Sequence, residues 1–462
     1  MSATSKEISS GIEGGSGLLL TDLYQLNMMQ AYLDAGMTET AVFEFFVRKL
    51  PENRGFLVAA GLEQALDFLE MARFTEDELA WLKDSGRFRA GMLDYLARLR
   101  FSGDVDAVAE GTVFFPDEPI LRVAAPLPVA QLVETRLINL LHFQTVIASK
   151  AARMVLVAPG KQLVDFGLRR AHGAEAGLLA ARASYLAGFA GSATTPAQRR
   201  YGVPIFGTMA HSFIQAFETE EAAFAAFARS RPENVVLLLD TYDTEAAAHK
   251  VVTIAPRLKQ EGIELRGVRL DSGDLAGHAR RVRRILDEGG LKEVTVFASG
   301  GLDETVLQKF IAEGAPIDGY GIGTSLTTAS DAPALDCAYK LQEYAGEAKR
   351  KRSEGKATWP GRKQVFRRRR PDGTPGGTLD GDLLTLEGAP GDGDPLIQPV
   401  MRQGRRLEPP PPLDQVRARA AAELAALPAH LARLETAPAY PVEVSRALRD
   451  LAEEVDRRHG KI

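Results

Sequence analysis

The sequence predicts an α/β protein: a TIM-like α/β barrel, a second and smaller α/β domain that is β-rich, and a C-terminal extension. Three observations carry this. From Leu163 to Tyr320, short apolar runs alternate with helical patterns, the signature of parallel strands joined by crossover helices. Each run stops at a polar or glycine-rich cluster, as strands do at the mouth of a barrel. Between Val105 and Ala130, β-branched runs are broken by Gly111, Pro116, Pro119, Pro126 and Pro128, which reads as a small β-rich domain with a proline-bounded edge. A doubly wound open sheet also alternates strands and helices, but it gathers its clusters near one switch point.

A chain of 462 residues exceeds one ordinary domain. A hydrophobic fraction of 45% and a charged fraction of 25% suit a soluble globular protein. The net charge of -5 gives no reason to expect nucleic acid or an anionic membrane as partner. Met1–Ser16 has neither the basic nor the apolar segment of a signal peptide, and no apolar run reads as long enough to cross a bilayer. Cys337 is the sole cysteine, which excludes an internal disulfide and a cysteine-built zinc site. A cytoplasmic protein is expected.

In chain order, residues 1–16 read as a disordered extension, 17–128 as the smaller domain, 129–340 as the barrel, and 341–462 as a segment returning to the smaller domain. Thr21 or Asp22 can cap a helix whose apolar face carries Leu23, Leu26 and Met29, with Tyr24 off that face. Val42–Val47 reads as a strand, and helices are expected around 57–71 and 76–82. A long amphipathic helix is expected over about 129–151. The predicted barrel strands are Leu163–Val164, Leu186–Phe189, Val203–Phe206, Val235–Leu239, Gly267–Leu270, Val294–Ala298 and Ile317–Tyr320. Beyond Tyr339, the basic run Arg367–Arg370 reads as a solvated strand end, and Pro371–Pro395 as a flexible insertion. Terminal amphipathic helices are expected over 414–427 and 441–457.

The chemistry-bearing residues fall at the strand ends. Val203–Phe206 stops at Gly207-Thr208, and an apolar periodicity through Phe213, Phe217, Phe224 and Phe227 begins just beyond. His211 and Ser212 therefore sit at a strand-to-helix junction, where unpartnered N–H groups favour an anion. An imidazole there can bind a phosphoryl group, accept one covalently, or simply cap the helix. Asp240 and Asp243, and 31 residues later Asp271 and Asp274, place two pairs of carboxylates at strand ends. Such carboxylates can hold ribose hydroxyls, bind Mg²⁺ beside a diphosphate, stabilise an oxocarbenium charge, or cap helices; one member of each pair is expected to cap. Asp240 and Asp274 are the metal candidates. Arg169, Arg170 and Arg269 can grip carboxylate or phosphate. Two glycine-rich turns, Ser299-Gly300-Gly301 and Gly321-Ile322-Gly323-Thr324, can bring backbone N–H groups close to phosphate.

Six motifs in order resemble one family. They are Thr21-Asp22-Leu23-Tyr24-Gln25-Leu26-Asn27-Met28, Asp165-Phe166-Gly167-Leu168-Arg169-Arg170, Gly207-Thr208-Met209-Ala210-His211-Ser212-Phe213, Arg269-Leu270-Asp271-Ser272-Gly273-Asp274-Leu275, Gly321-Ile322-Gly323-Thr324 and Pro360-Gly361-Arg362-Lys363-Gln364-Val365-Phe366. Together they look like the nicotinate phosphoribosyltransferases. The resemblance implies a type II phosphoribosyltransferase fold and the joining of nicotinate to phosphoribosyl pyrophosphate, giving nicotinate mononucleotide and pyrophosphate for NAD synthesis. It implies Mg²⁺, and ATP as a co-substrate coupled through a phosphohistidine at His211. By the same resemblance Phe166 stacks on the pyridine ring and Tyr24 of a neighbouring subunit covers its other face, so a homodimer is expected. Arg169, with Arg170 and Arg269, would receive the carboxylate or nearby phosphates, and Asp271 the ribose. Thr208, Ser212, Ser299, Gly300 and Gly301 would contact substrate, and Gly321, Gly323 and Thr324 the 5′-phosphate. The related nicotinamide enzyme resembles this chain around Phe189–Thr194 but carries Asp where Ala193 falls; its absence favours nicotinate. A nicotinamide or quinolinate enzyme of the same fold is the alternative, as is a non-catalytic nucleotide sensor. The extension to Ser16 and the insertion Pro371–Pro395 match nothing in the family pattern.

Overall fold

Thr40–Val47 reads TAVFEFFV, and seven of its eight residues are buried, so this strand is covered on both faces. That burial places it at the centre of a sheet in the structure, a computed structural model that describes residues 17–374, 376–435 and 438–459. The expected disorder of residues 1–16 lies outside the described residues. The chain divides into two units: one combines residues up to Ser149 with those from Ala332 on, and the other is continuous over Lys150–Asp331. These boundaries differ from the predicted 128/129 and 340/341.

In the first unit, seven antiparallel strands run in the order Glu347–Ala348, Cys337–Tyr344, Thr40–Val47, Pro119–Pro126, Asp104–Val108, Ile397–Arg402, Arg405–Arg406. Phe43 faces Leu341 on one side and Val123 on the other, and its ring stacks on Tyr339 at 4.9 Å. A four-stranded sheet orders Asp394–Pro395, Lys363–Arg370, Thr378–Leu386 and Val442–Val444. The insertion expected to be flexible contributes the strand Thr378–Leu386, which pairs along the whole of Lys363–Arg370. Alternation of buried and less buried residues along Lys363–Arg370 corrects the reading of the basic run. Lys363, Val365 and Arg367 face inward, so Arg367 is fully buried rather than solvated, while Arg370 on the outer face is exposed. Arg367 lies 2.6 Å from Asp382 and 2.8 Å from Glu423, and donates to the Val113 carbonyl at 2.7 Å.

Helix Leu23–Asp34 buries Gln25, Leu26 and Met29, but Leu23, predicted on that face, is 48% exposed. Gln25 takes the buried position because Glu134 and Gln131 satisfy its amide at 2.9 and 2.7 Å. Asp22 stands at the N-cap position without capping; it accepts from the Thr135 hydroxyl instead. The single long helix expected near 129–151 is two, Leu127–Leu132 and Glu134–Val157. The latter is long and apolar enough to cross a membrane, against the sequence expectation, but 72% of its most apolar stretch is buried within the protein. The terminal helices are Leu413–Ala425 and Arg446–His459, with Val442–Val444 a strand rather than a helical start.

The second unit holds a six-stranded parallel sheet in the order Gly191–Ser192, Gln162–Asp165, Gly319–Ile322, Thr295–Ser299, Leu265–Leu270, Val235–Leu238. It is a half-barrel; among the described residues no closed barrel forms. Two predicted strands account for the difference. Leu186 ends the alanine-rich helix Ala174–Leu186, whose intrinsic helix preference wins over the short apolar run, and Gly188 at φ 123° turns the chain. Val203–Phe206 contributes only an isolated bridge between Ile205 and Ser192, since Pro204 has no N–H for a ladder. Parallel strands leave all their C-terminal ends at one edge of the sheet, and the candidate site residues of this unit follow those ends.

Candidate active site

At the end of strand Gln162–Asp165 the chain turns through Phe166-Gly167 into the short 3-10 helix Leu168–Arg170. Asp165 fixes this turn. One carboxylate oxygen accepts from the Gly167 N–H at 2.8 Å, the other from the Ser192 hydroxyl at 2.6 Å. Burial pushes its carboxyl up to about 6, against the lowering effect of those two donors. Phe166 lies over Gly321: a Cβ there would come within 2.5 Å of the ring. Gly321 is therefore a strand residue that makes room for an aromatic wall. Phe297 backs the ring at 6.0 Å.

The imidazole of His211, first residue of helix His211–Gln215, stands between two strand ends. Its Nδ1 is 3.2 Å from the Thr241 hydroxyl and its Nε2 3.7 Å from Asp271. The predicted helix from Phe213 to Phe227 is two helices, and the second starts at Glu220, capped by Thr219. Asp271 also accepts from the Ser299 hydroxyl. Arg269 donates to the Met209 carbonyl at 2.7 Å, while its Nε is buried without a partner. Burial lowers the Arg269 pKa; the charges of Asp271 and Asp240 oppose this, and Arg169 adds to it. Thr208 Oγ1 and Asp240 Oδ1 are likewise buried and unpartnered. Buried polar atoms without partners are rare, and three at one sheet edge suit a polar ligand.

Of the paired carboxylates, Asp243 and Asp274 are caps, accepting from Ala246 N at 2.7 Å and Gly277 N at 3.1 Å. The cap engages one oxygen of Asp274, Oδ1. Asp240 accepts from Ser272 at 2.5 Å, and its other oxygen is buried without a partner. Among the described residues, no group of three or more His, Cys, Asp or Glu side chains could hold a metal ion.

A cavity of about 610 Å³ draws these strand ends together. Phe166, Arg169, Thr208, His211, Arg269 and Asp271 line it, with Leu168, Ala193, Gly207, Met209 and Ala210 between them. Arg170, Ser212, Ser299, Gly300, Gly301, Gly321, Gly323 and Thr324 are not in its lining. Of these, Arg170 and Ser212 are exposed, Ser299 supports Asp271, and Gly323 precedes the short helix Thr324–Thr327. Tyr24 belongs to the first unit and is 48% exposed. Sequence reasoning assigned no role to Asp165 or Thr241. A carboxylate two residues before a glycine at a strand end is an Asx-turn signal and could have marked Asp165; nothing local marks Thr241.

Three family models match in order: the nicotinate phosphoribosyltransferase N-terminal domain over residues 19–142, the nicotinate phosphoribosyltransferase family over 161–364, and its C-terminal domain over 388–452. The chain belongs to the nicotinate phosphoribosyltransferase family. A nicotinate phosphoribosyltransferase of Mycobacterium tuberculosis is 50% identical over 431 residues, covering 93% of this chain and 92% of that protein. One from Bacillus subtilis is 40% identical over 365 residues, covering 77% and 74%. The crystal structure of human nicotinic acid phosphoribosyltransferase superposes with a TM-score of 0.83 at 30% identity, covering 94% of this chain and 99% of that one.

In this member of the nicotinate phosphoribosyltransferase family, a second glycine is tied directly to the site's geometry. Gly300 has φ 91°, and a Cβ there would lie 2.0 Å from the Asp271 carbonyl oxygen. Gly300→Ala is expected to push Asp271 out of place and reduce kcat/KM about 10²-fold, the usual consequence of a 1 Å misplacement. Steady-state kinetics on the folded variant check this; a change below about threefold would show that the loop absorbs the methyl group.

Proposed function

We propose that this chain transfers the phosphoribosyl group of phosphoribosyl pyrophosphate to nicotinate, giving nicotinate mononucleotide and pyrophosphate in NAD biosynthesis. The observation that carries the reading is the single cavity in which an aromatic wall, Phe166, lies with Arg169, Arg269, Asp271 and His211. The flat apolar face of Phe166 suits a pyridine ring, and the guanidinium of Arg169 suits its carboxylate. Ala193 leaves that wall without an acidic group to repel a carboxylate. Asp271 would stabilise positive charge developing at C1′ as the bond to pyrophosphate breaks and the pyridine nitrogen attacks.

Mg²⁺ belongs to this reading, and Asp240 is the residue that would hold it. The buried, unpartnered Asp240 Oδ1 offers one carboxylate oxygen, and Mg²⁺ commonly binds through one or two carboxylates, waters and substrate phosphates. When bound it would neutralise charge on the diphosphate. ATP is the second co-substrate proposed. The lone pair of a His211 ring nitrogen would attack the terminal phosphorus, forming a P–N bond as the P–O bond to ADP breaks. The reading includes a homodimer, with the half-exposed Tyr24 covering the pyridine ring in a neighbouring subunit's site.

The test is product formation from nicotinate, phosphoribosyl pyrophosphate and Mg²⁺, with and without ATP, and with nicotinamide and quinolinate in parallel. Mononucleotide from nicotinate alone, faster with ATP, is the expected result. His211→Ala should retain slow ATP-independent turnover and lose the ATP stimulation. Turnover of nicotinamide would refute the reading of Ala193; unchanged ATP dependence in His211→Ala would refute that of His211. No turnover of any pyridine would favour a nucleotide-binding sensor.

A further inference from the structure

Two walls of the cavity, Phe166 and Ala193, stand on different strand ends, and one residue joins them. Asp165 is 1% exposed and makes polar contacts in three directions. Its Oδ1 takes the Gly167 N–H, its Oδ2 the Ser192 hydroxyl, and its carbonyl the Ala193 N–H at 2.7 Å. Ser192 Oγ in turn accepts from the Thr194 N–H at 2.9 Å, so the second loop is bound to the same carboxylate through one intermediary. The Phe166 N–H donates to the Ile322 carbonyl at 2.8 Å, fixing the turn against the next strand. We infer that Asp165 is a positioning residue for the pyridine subsite, holding the Phe166 turn and the Ala193 loop at the spacing a flat aromatic acid requires.

The burial of Asp165 matters as much as its bonds. An ionised carboxylate with no cation among its hydrogen-bond partners is costly to bury, and an apolar residue at this inward strand position would serve packing better. A carboxylate offers what no apolar side chain can: two acceptors set at a fixed angle, one for each loop. Asparagine has a single acceptor oxygen of that kind and can keep the Gly167 bond, while its NH₂ can still meet Ser192 Oγ as a donor. Alanine loses both.

The inference depends on the proposed nicotinate reaction for its kinetic form, so the test includes a readout that does not. Asp165→Ala, Asp165→Asn and Ser192→Ala would be compared with the unaltered full-length protein. Kinetics with nicotinate and phosphoribosyl pyrophosphate varied separately should show KM for nicotinate raised about tenfold in Asp165→Ala. KM for phosphoribosyl pyrophosphate should stay within about twofold, and Asp165→Asn should recover most of the loss. Amide exchange should quicken at Gly167, Ala193 and Thr194 in Asp165→Ala, while amides of the strand Val235–Leu238 keep wild-type protection. Parallel changes in both KM values, or wild-type exchange at all three amides, would overturn the inference. If the unaltered protein turns over no pyridine, the proposed reaction fails, and the exchange pattern alone decides the role of Asp165. Should Asp165→Ala not fold, Ser192→Ala tests the link to the Ala193 loop by the same measurements.

Discussion

Asp271→Asn is expected to lower kcat about 10²–10³-fold, with KM for nicotinate nearly unchanged. The magnitude is that of removing one preorganised electrostatic partner from a site where charge develops. Asparagine keeps the size of the side chain and an oxygen for the Ser299 hydroxyl, so the loop geometry should survive. What it removes is the negative charge, which faces His211 Nε2 at 3.7 Å and would face C1′ of a bound ribosyl group. A change confined to the transition state lowers kcat and kcat/KM together. Steady-state kinetics at saturating phosphoribosyl pyrophosphate measure it. A loss smaller than about fivefold would mean that Asp271 positions substrate without stabilising charge.

Arg367→Met is expected to destabilise the first unit by about 3–5 kcal/mol, the cost of breaking a buried ion pair by removing one partner. Arg367 is 0% exposed, and its removal leaves Asp382 and Glu423 without the guanidinium that now sits 2.6 and 2.8 Å away. Glu118 belongs to the same cluster, 3.9 Å from Arg367. Burial, with Asp382 beside it, holds the Glu118 carboxyl well above the usual carboxylate range, and Arg367 opposes this. The sign for pH follows from linkage. A carboxyl raised in the folded state binds its proton more tightly there than in the unfolded chain, so its contribution to stability falls as pH rises above the unfolded value. Removing the cation strengthens that bias, and the deficit of Arg367→Met should be smaller at pH 5 than at pH 8. Urea unfolding at the two pH values tests both statements. An equal deficit at both would show that the carboxylates find other partners.

The sheet edge that carries the site was legible because its signals are local. Val235–Leu238 is a short apolar run that ends just before Asp240, Gly267–Leu270 was readable as the end of the strand Leu265–Leu270 that stops at Asp271, and the caps Asp243 and Asp274 sit where helix starts require them. Closure was not legible. Leu186–Phe189 is apolar enough for a strand, but the helix before it runs on to Leu186, and no short window shows which tendency prevails. The basic run at Arg367 misled for another reason: charge suggested solvent, whereas alternation along Lys363–Arg370 put every second residue inward, where Asp382 and Glu423 await it. The supporting contacts were the hardest to see. Ser192 lies 27 residues from Asp165, and Thr241 lies 30 from His211, so each pair exists only once the parallel strands are aligned.

The interrupted first unit has a consequence during synthesis. Its central strand, Thr40–Val47, pairs on one side with Pro119–Pro126, which follows soon after, and on the other with Cys337–Tyr344. Translation at about 5–20 residues per second separates those two partners, some 210 residues apart, by roughly 10–40 s. Throughout that interval one edge of the central strand is without its neighbour, and an apolar strand with an open edge invites other chains. The unit from Lys150 to Asp331 emerges in the same interval with all of its own strands at hand. The unit that holds the cavity can therefore be finished on the ribosome before the sheet that begins the chain, and a stalled or truncated product would leave that cavity attached to an adhesive edge.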